Sequence, residues 1–559
     1  MGFLTAIVNA SLKNQAIVLV ATLLFLLLGV EAALRLPIDA VPDVTNVQVQ
    51  VITAAPALSP IEVEQYVTIA VERAMSGIPK VTEVRSISKY GLSVVTVVFS
   101  DETSIYLARQ LVAERMREAE SAVATQYGKP EMGPISSGLG EVFQFVVRGA
   151  SLMEVEETLD WYISPQLRTV PGIVEINSFG GENKEYQIHI DPGRLQAAGL
   201  SIREVAAALE RSNANAGGGY IEYNREQYVI GSVGLIHSLD DLRTVVIGAT
   251  PQGVPITIAH LGDVKFGPRL RRGAASIDGQ GEVAVGVALM LLGENSRTVT
   301  AEVKAKLAQI TPSLPPGVHI EPFYDRATLV NRTIKTVTRN LLEGAVLVVL
   351  VLLLLLGDLR AGLIVATTIP LSMLFAMLMM NVMGLSGNLM SLGAIDFGLI
   401  VDGAVIIVEN AVRHLGQAQR RQKAPLSAAE RMTVVRDSTI EVRSATIFGE
   451  AIIAIVYLPI LALTGIEGKL FRPMALTVLF ALLGAFFFSL TVVPVLCSWL
   501  LRPSATHQES FLLRRLSRWY EPLLDKSLRH QFLTLAIGVV VLALGVGLSA
   551  RLGAEFVPQ

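Results

Sequence analysis

Charge, cysteine and aromatic side chains are all scarce in this chain. Charged residues make up 17% of 559 positions, against about 25% in an ordinary soluble domain. That excludes a simple string of soluble domains. The one cysteine, Cys497, lies inside an apolar run, so an internal disulfide and a cysteine-based zinc site are both excluded. Aromatic residues amount to 6%, and the net charge of −3 supplies no strong field of either sign. Nucleic acid is therefore not favoured as a partner. No phosphate-binding glycine fingerprint occurs, and Gly217-Gly218-Gly219 reads as a flexible turn in a loop. What is abundant is hydrophobic sequence, at 51%, gathered in long runs. That is the composition of an integral membrane protein with lipid as its solvent.

A helix needs about 20 apolar residues to cross the hydrocarbon core. Seven runs qualify: Ala16 to Leu34, Leu341 to Gly357, Ala361 to Met383, Leu389 to Val412, Ala445 to Leu463, Met474 to Leu501 and Phe532 to Ala550. The first has no small-residue cleavage site after it and reads as a retained anchor. Lys and Arg in short loops set orientation. The loop after the fourth run carries Arg413, Arg420, Arg421, Lys423, Arg431, Arg436 and Arg443, and that after the sixth carries Arg502, Arg514, Arg515, Arg518, Lys526 and Arg529. Both are assigned to the cytoplasm. The stretch from about Pro37 to Lys335 then lies on the opposite side.

That stretch reads as α+β. Val47 to Val51 alternates like a half-buried strand. Ser59, Pro60 and Glu62 form a helix start with a capping box. Strands follow at Val81 to Lys89 and Leu92 to Ser100, then a helix over about Thr103 to Val123. Ile78-Pro79-Lys80-Val81-Thr82-Glu83-Val84-Arg85-Ser86 resembles Val170-Pro171-Gly172-Ile173-Val174-Glu175-Ile176-Asn177-Ser178. Two split βαβ units of ferredoxin-like type are the simplest reading. A further strand, helix and strand occupy Val283 to Met290, Ser296 to Ile310 and Val318 to Pro322.

A larger repeat spans the chain. Ser11-Leu12-Lys13-Asn14-Gln15 lines up with Ser527-Leu528-Arg529-His530-Gln531, and without gaps Gly29-Val30 meets Gly545-Val546, Arg35-Leu36 meets Arg551-Leu552 and Val41-Pro42 meets Val557-Pro558. The seventh crossing is a second copy of the first. Parallel repeats of this kind occur in transporters. The expectation is that the chain is about half of a duplicated architecture.

The fourth run holds three carboxylates, Asp396, Asp402 and Glu409. An aspartate at the bilayer centre costs about 2.5–3.5 kcal/mol on insertion scales. At roughly 100° per residue Asp402 and Glu409 fall about 20° apart around the axis, and Asp396 lies about 120° from Asp402. Buried carboxylates with raised pKa can load and release protons, so a proton relay is the natural use. Gly393, Gly398 and Gly403 would let another helix approach. Permanent pairing with Lys or Arg is the alternative. No such residue falls inside the other crossings as drawn, so a partner is expected from outside this chain. Met373, Met377 and Met380 share a helix face, and read as adaptable packing before soft-metal ligands. Pro370, Pro459 and Pro494 are expected to kink their helices. Glu343 and Glu450 read as interfacial, and His189 has no second histidine near it in sequence for a zinc site.

The helix layout, the large insert and the restart at Ser527 resemble the resistance-nodulation-division (RND) superfamily. Within it, Leu36-Pro37-Ile38-Asp39-Ala40-Val41-Pro42-Asp43, Thr45 to Gln50, Gly293 to Val299 and Asn388-Leu389-Met390-Ser391 are similar to the heavy-metal efflux branch. Asp396-Phe397-Gly398, Asp402-Gly403-Ala404 and Glu409-Asn410 look like the fourth-helix signature of the cobalt-zinc-cadmium (CzcA-like) cation pumps. The resemblance covers essentially the whole chain but about half of a family member.

It implies a seven-helix transmembrane bundle with periplasmic α+β domains in the bacterial inner membrane. The segments would be 1–36 (first transmembrane helix), 37–335 (first half of the porter and docking region), 336–503 (transmembrane helices 2–6), 504–530 (cytoplasmic connecting helix) and 531–559 (transmembrane helix 7 onward). It implies no resident cofactor, a proton/cation antiporter and a transported divalent cation of the Zn, Co, Cd or Ni class. Asp396, Asp402 and Glu409 would be the proton-coupling group. Partners would be a second pump half, two further copies in a homotrimer, a periplasmic adaptor and an outer-membrane channel. The family's metal ligands lie largely in the other porter half. A multidrug pump would want an aromatic-lined pocket. An intramembrane aspartyl protease needs two carboxylates sharing a proton, which the 120° offset of Asp396 and Asp402 opposes.

Overall fold

The computed structural model describes residues 2–39, 42–232, 234–271, 273–356, 358–393, 397–421, 426–502 and 511–549. Asp396 and the repeat matches beyond Ser549 lie outside the described residues. The chain divides into two compact units, residues 1–44 with 329–559, and residues 45–328. The first unit opens with α1 (Gly2–Lys13) and α2 (Gln15–Arg35), separated at Asn14.

In the second unit, β1 (Gln48–Ala54) buries Val49, Val51 and Thr53 and turns its glutamines outward, as a period of two requires. Ser59 and Glu62 cap each other reciprocally at the start of the next helix. That helix, α3, runs through Pro60–Val63, a π turn Glu64–Thr68 and Ile69–Met75. Then come β2 (Val81–Lys89), β3 (Leu92–Phe99), α4 (Ile105–Ala122) and β4 (Pro130–Met132). The sheet order is β2-β3-β1-β4, antiparallel throughout. Val63, Val67, Val71, Val95, Val97, Ala108 and Val112 meet in its core.

The same plan then repeats. β5 (Glu141–Arg148) leads into α5, which again contains a π turn: Leu152–Thr158, Leu159–Ile163, Ser164–Leu167. β6 (Ile173–Gly180) follows, then an insert. In the insert β7 (Lys184–Ile190) pairs with Gly262–Pro268. A hairpin, β8 (Ala216–Tyr223) and β9 (Glu226–Ser232), turns at Asn224 and Arg225, both at positive φ. Every residue of the hairpin is exposed. Gly217-Gly218-Gly219 is therefore strand and not the loop expected from sequence. Pairing with Gly231 and Ile230 holds it extended, with a register shift that a glycine tolerates. The chain returns through β10 (Glu282–Met290), α6 (Ser296–Ile310) and β11 (His319–Asp325). The second sheet runs β6-β10-β5-β11, the order of the first, with a fifth short strand, Ala275–Ser276, paired to β10.

The remaining helices are α7 (Arg326–Leu356), α8 (Leu359–Val382), α9 (Phe397–Arg421), α10 (Ala428–Leu461), α11 (Gly465–Leu500), α12 (Phe511–Arg529) and α13 (Gln531–Ser549). Five described helices are long and apolar enough to cross a membrane. A sixth crossing results if α10, bent by 46° between Arg443 and Thr446, counts as one span. The run from Leu341 forms the second half of α7, and its last residue, Gly357, lies outside the described residues. α8 packs against α2, α9 and α11. A Cβ added at Gly29 would lie 2.8 Å from Leu374 Cβ, so the glycine sets the close approach of α2 to α8.

Candidate functional site

The segment read as a basic loop after the fourth run is mostly helix. α10 begins at Ala428, where Ser427 and Glu430 form a capping box, well ahead of the apolar run at Ala445. Arg443 therefore sits inside the helix. Its side chain is 2% exposed and paired with Glu450. Nη1 and Nη2 donate to the two carboxylate oxygens at 2.6 and 2.7 Å. The guanidinium also lies 4.5 Å from the centre of the Phe486 ring on α11. This corrects two expectations. A buried cation is present in this chain, and Glu450 is its bidentate partner, not an interfacial acid. The apolar run alone hid both, because hydropathy marks where a helix is greasy and not where it starts.

Gly403 on α9 makes the contact possible. A Cβ there would fall 2.2 Å from Glu450 Oε1 and 3.0 Å from Arg443 Nη1. Only hydrogen fits, so α9 and α10 meet with the ion pair between them. Gly393, by contrast, has open space around it. The polar seam continues along the two helices. Buried Asn410 donates to Ser438 O at 2.8 Å and accepts from Arg413 at 2.7 Å. His414 Nε2 lies 3.1 Å from Glu441 Oε2.

Asp402 and Glu409 take the other flank of α9. Both are exposed, while Val401, Gly403, Ala404, Ile407, Val408 and Asn410 are buried. The shared face matches seven residues at about 100° each. Neither carboxylate has an ion-pair or hydrogen-bond partner among the described residues. Arg443 pairs with Glu450 through Nη1 and Nη2 and forms no ion pair with either carboxylate, while its Nε has no hydrogen-bond partner among the described residues. Asp396 lies outside the described residues.

The other candidates pack or stand apart. Met380 is fully buried and accepts a hydrogen bond from Thr477 at 3.3 Å, and Met373 and Met377 pack against the same core. His189 bonds to Gln187 on an exposed strand. No group of three or more His, Cys, Asp or Glu side chains poised for a metal occurs among the described residues. In the extramembrane unit Glu156 on α5 is 3% exposed, and its Oε2 has no hydrogen-bond partner among the described residues. Burial, reinforced by Asp160, pushes its pKa up from the ordinary 4.5 to about 7, against a hydrogen bond from Ser178.

Comparison with known proteins follows the same lines. The AcrB/AcrD/AcrF family profile matches residues 7–559. The cation efflux system protein CzcA of Alcaligenes sp. (strain CT14) is 48% identical over 99% of this chain and 53% of its own length. The nickel-cobalt-cadmium resistance protein NccA of Alcaligenes xylosoxydans xylosoxydans is 40% identical over 99% of this chain and 54% of its own. The crystal structure of a heavy metal efflux pump superposes with a TM-score of 0.86 at 34% identity, covering 99% of this chain and 53% of that one. The chain thus spans about half the length of the relatives it matches. It belongs to the AcrB/AcrD/AcrF family of the RND superfamily, and its likeness lies with the heavy-metal efflux proteins of that family.

Proposed function

We propose that this chain is one half of a proton-driven exporter of divalent heavy-metal cations of the Zn, Co, Cd or Ni class. One observation carries the reading: Asp402 and Glu409 share an uncovered, unneutralised face of a helix long and apolar enough to cross a membrane. Left against lipid at the bilayer centre, Asp402 would cost about 2.5–3.5 kcal/mol. A second helical half covering that face relieves the cost and creates a site where protons bind and leave. The relatives' greater length supplies such a half, and their printed names concern cations. That favours metal over drug as cargo and transport over proteolysis. Asp396, Asp402 and Glu409 are the proposed relay, and Arg443 with Glu450 forms a fixed ion pair behind it.

The finer architecture belongs to the same proposal. It comprises seven crossings with the insert in the periplasm, and ferredoxin-like porter units, for which the shared 2-3-1-4 strand order speaks. It adds a bacterial inner-membrane homotrimer with a periplasmic adaptor and an outer-membrane channel. The exposed hairpin β8–β9 carries Tyr220, Ile221, Tyr223, Tyr228 and Val229. Such an unpartnered apolar ribbon suits a subunit contact. One charge crossing 100 mV releases about 2.3 kcal/mol, and one pH unit adds about 1.4 kcal/mol. A doubly charged cation leaving against 100 mV costs about 4.6 kcal/mol, so two protons are needed, and their pH term, about 2.8 kcal/mol per pH unit, then supports a cation gradient of roughly a hundred-fold.

The test is Asp402→Asn in cells that also supply the second half. Zinc and cobalt resistance should vanish at unchanged protein level in the membrane. Full resistance in that variant ends the proposal.

A further inference from the structure

A cleft of about 950 Å³ opens at one border of the membrane unit, where α1 meets α2 and where α10 begins and α11 ends. Its walls are of two kinds. Leu12, Ala16, Met432 and Leu500 make an apolar side. Lys13, Arg431 and Arg436, from two different helices, make a cationic side. Lys13 has no ion-pair partner among the described residues. Arg431 Nε is buried and unpartnered there, and Arg436 is bonded to Asp437 at 2.9 Å. Ala428 and Ala429 bring the first turn of a 34-residue helix to the same cleft, a terminus that the Glu430 carboxylate already caps. Along the floor, Gln15 donates to Ser498 Oγ at 3.2 Å and accepts from Trp499 Nε1.

We propose that this cleft binds the phosphate headgroup of an anionic phospholipid, with its acyl chains against the apolar wall. Lys13 and Arg431, two cations without ion-pair partners among the described residues, select a phosphate. The apolar wall and the position at the ends of α2 and α11, both long enough to cross a membrane, select a lipid over free phosphate. Trp499 on the cleft wall is 55% exposed, and such rings favour the headgroup level of a bilayer. The site is separate from the carboxylate face of α9, and the inference does not rest on the export reading.

Trp499 also provides the probe. The chain has three tryptophans, Trp161, Trp499 and Trp519. In a Trp161→Phe, Trp519→Phe background the full chain is reconstituted in phosphatidylcholine bilayers containing either brominated phosphatidylglycerol or brominated phosphatidylcholine. Brominated phosphatidylglycerol should quench Trp499 at several-fold lower mole fraction. Lys13→Gln with Arg431→Gln should erase the preference, at roughly five-fold per cation lost, and Lys13→Arg with Arg431→Lys should keep it. Equal quenching by the two lipids overturns the proposal. So does a preference that survives the Gln variant, or one that inorganic phosphate at millimolar concentration abolishes. The last result would make this a free-phosphate site.

Discussion

At the scale of single residues, the ion pair between α9 and α10 decides most. Removing one member of a buried pair leaves the other charge stranded, at a cost of about 3–5 kcal/mol, while replacing both with apolar groups of similar volume is often neutral. Arg443→Met alone should therefore sharply lower the thermal midpoint in detergent, and Arg443→Met with Glu450→Met should recover most of the loss. A double variant as unstable as the single would show that Arg443 has some further essential partner. Outside the membrane, Glu156 gives a prediction with a definite sign. Its folded pKa of about 7 exceeds the ordinary 4.5, so the folded state holds the proton more tightly. Its contribution is fully present below about pH 4.5 and is lost as pH rises through 7. Glu156→Gln should leave the melting temperature nearly unchanged at pH 4.5 and raise it at pH 8. An equal shift at both pH values would refute the assignment.

At the scale of elements, the two sheets and the hairpin differ in how legible they were. Alternation at Val47 to Val51, the Ser59 cap and the pattern shared by Ile78–Ser86 and Val170–Ser178 marked β1, α3 and the starts of β2 and β6, because period and turn chemistry are local. The strand order was not local. β10 reaches β6 and β5 only after the long insert, and a shared nine-residue pattern could suggest that return without locating it. The hairpin was missed altogether, since its glycines read as a turn and its tyrosines have no core to face. Its exposure predicts a role in association. Replacing residues 216–232 with a short Gly-Ser linker should leave the melting behaviour of the unit intact and shift the assembled species to smaller mass in multi-angle light scattering. Unchanged mass would remove the hairpin from the subunit contact. In the membrane, Asp402 and Glu409 were placed on one face by helical arithmetic alone. Arg443 was lost to the assumption that a span begins where its apolar run does. The i, i+7 spacing of Arg443 and Glu450, on either side of that boundary, was the available signal.

At the scale of the whole molecule, the internal repeat has a structural counterpart. α1 breaks from α2 at Asn14, and α12 breaks from α13 at His530, the residues aligned by the repeat. α13 buries none of its residues, and the flank of α9 that carries Asp402 and Glu409 is likewise bare. Two bare surfaces on one chain, with relatives about twice as long, make the same physical demand for apolar cover. Supplying the second half in trans should protect α13 and α9 from a lipid-soluble maleimide at Leu542→Cys and Glu409→Cys. Equal labelling with and without it would count against the split.

The closed ion pair also bears on electrical behaviour. Arg443 and Glu450 cancel each other, so the voltage across the bilayer finds little to grip there. Asp402 and Glu409, with Asp396, are left as the proposed seats for hydrogen ions. If two hydrogen ions occupy them for each doubly charged metal that leaves, the exchange moves no net charge. Export would then follow the acidity difference between the two compartments and ignore the membrane voltage.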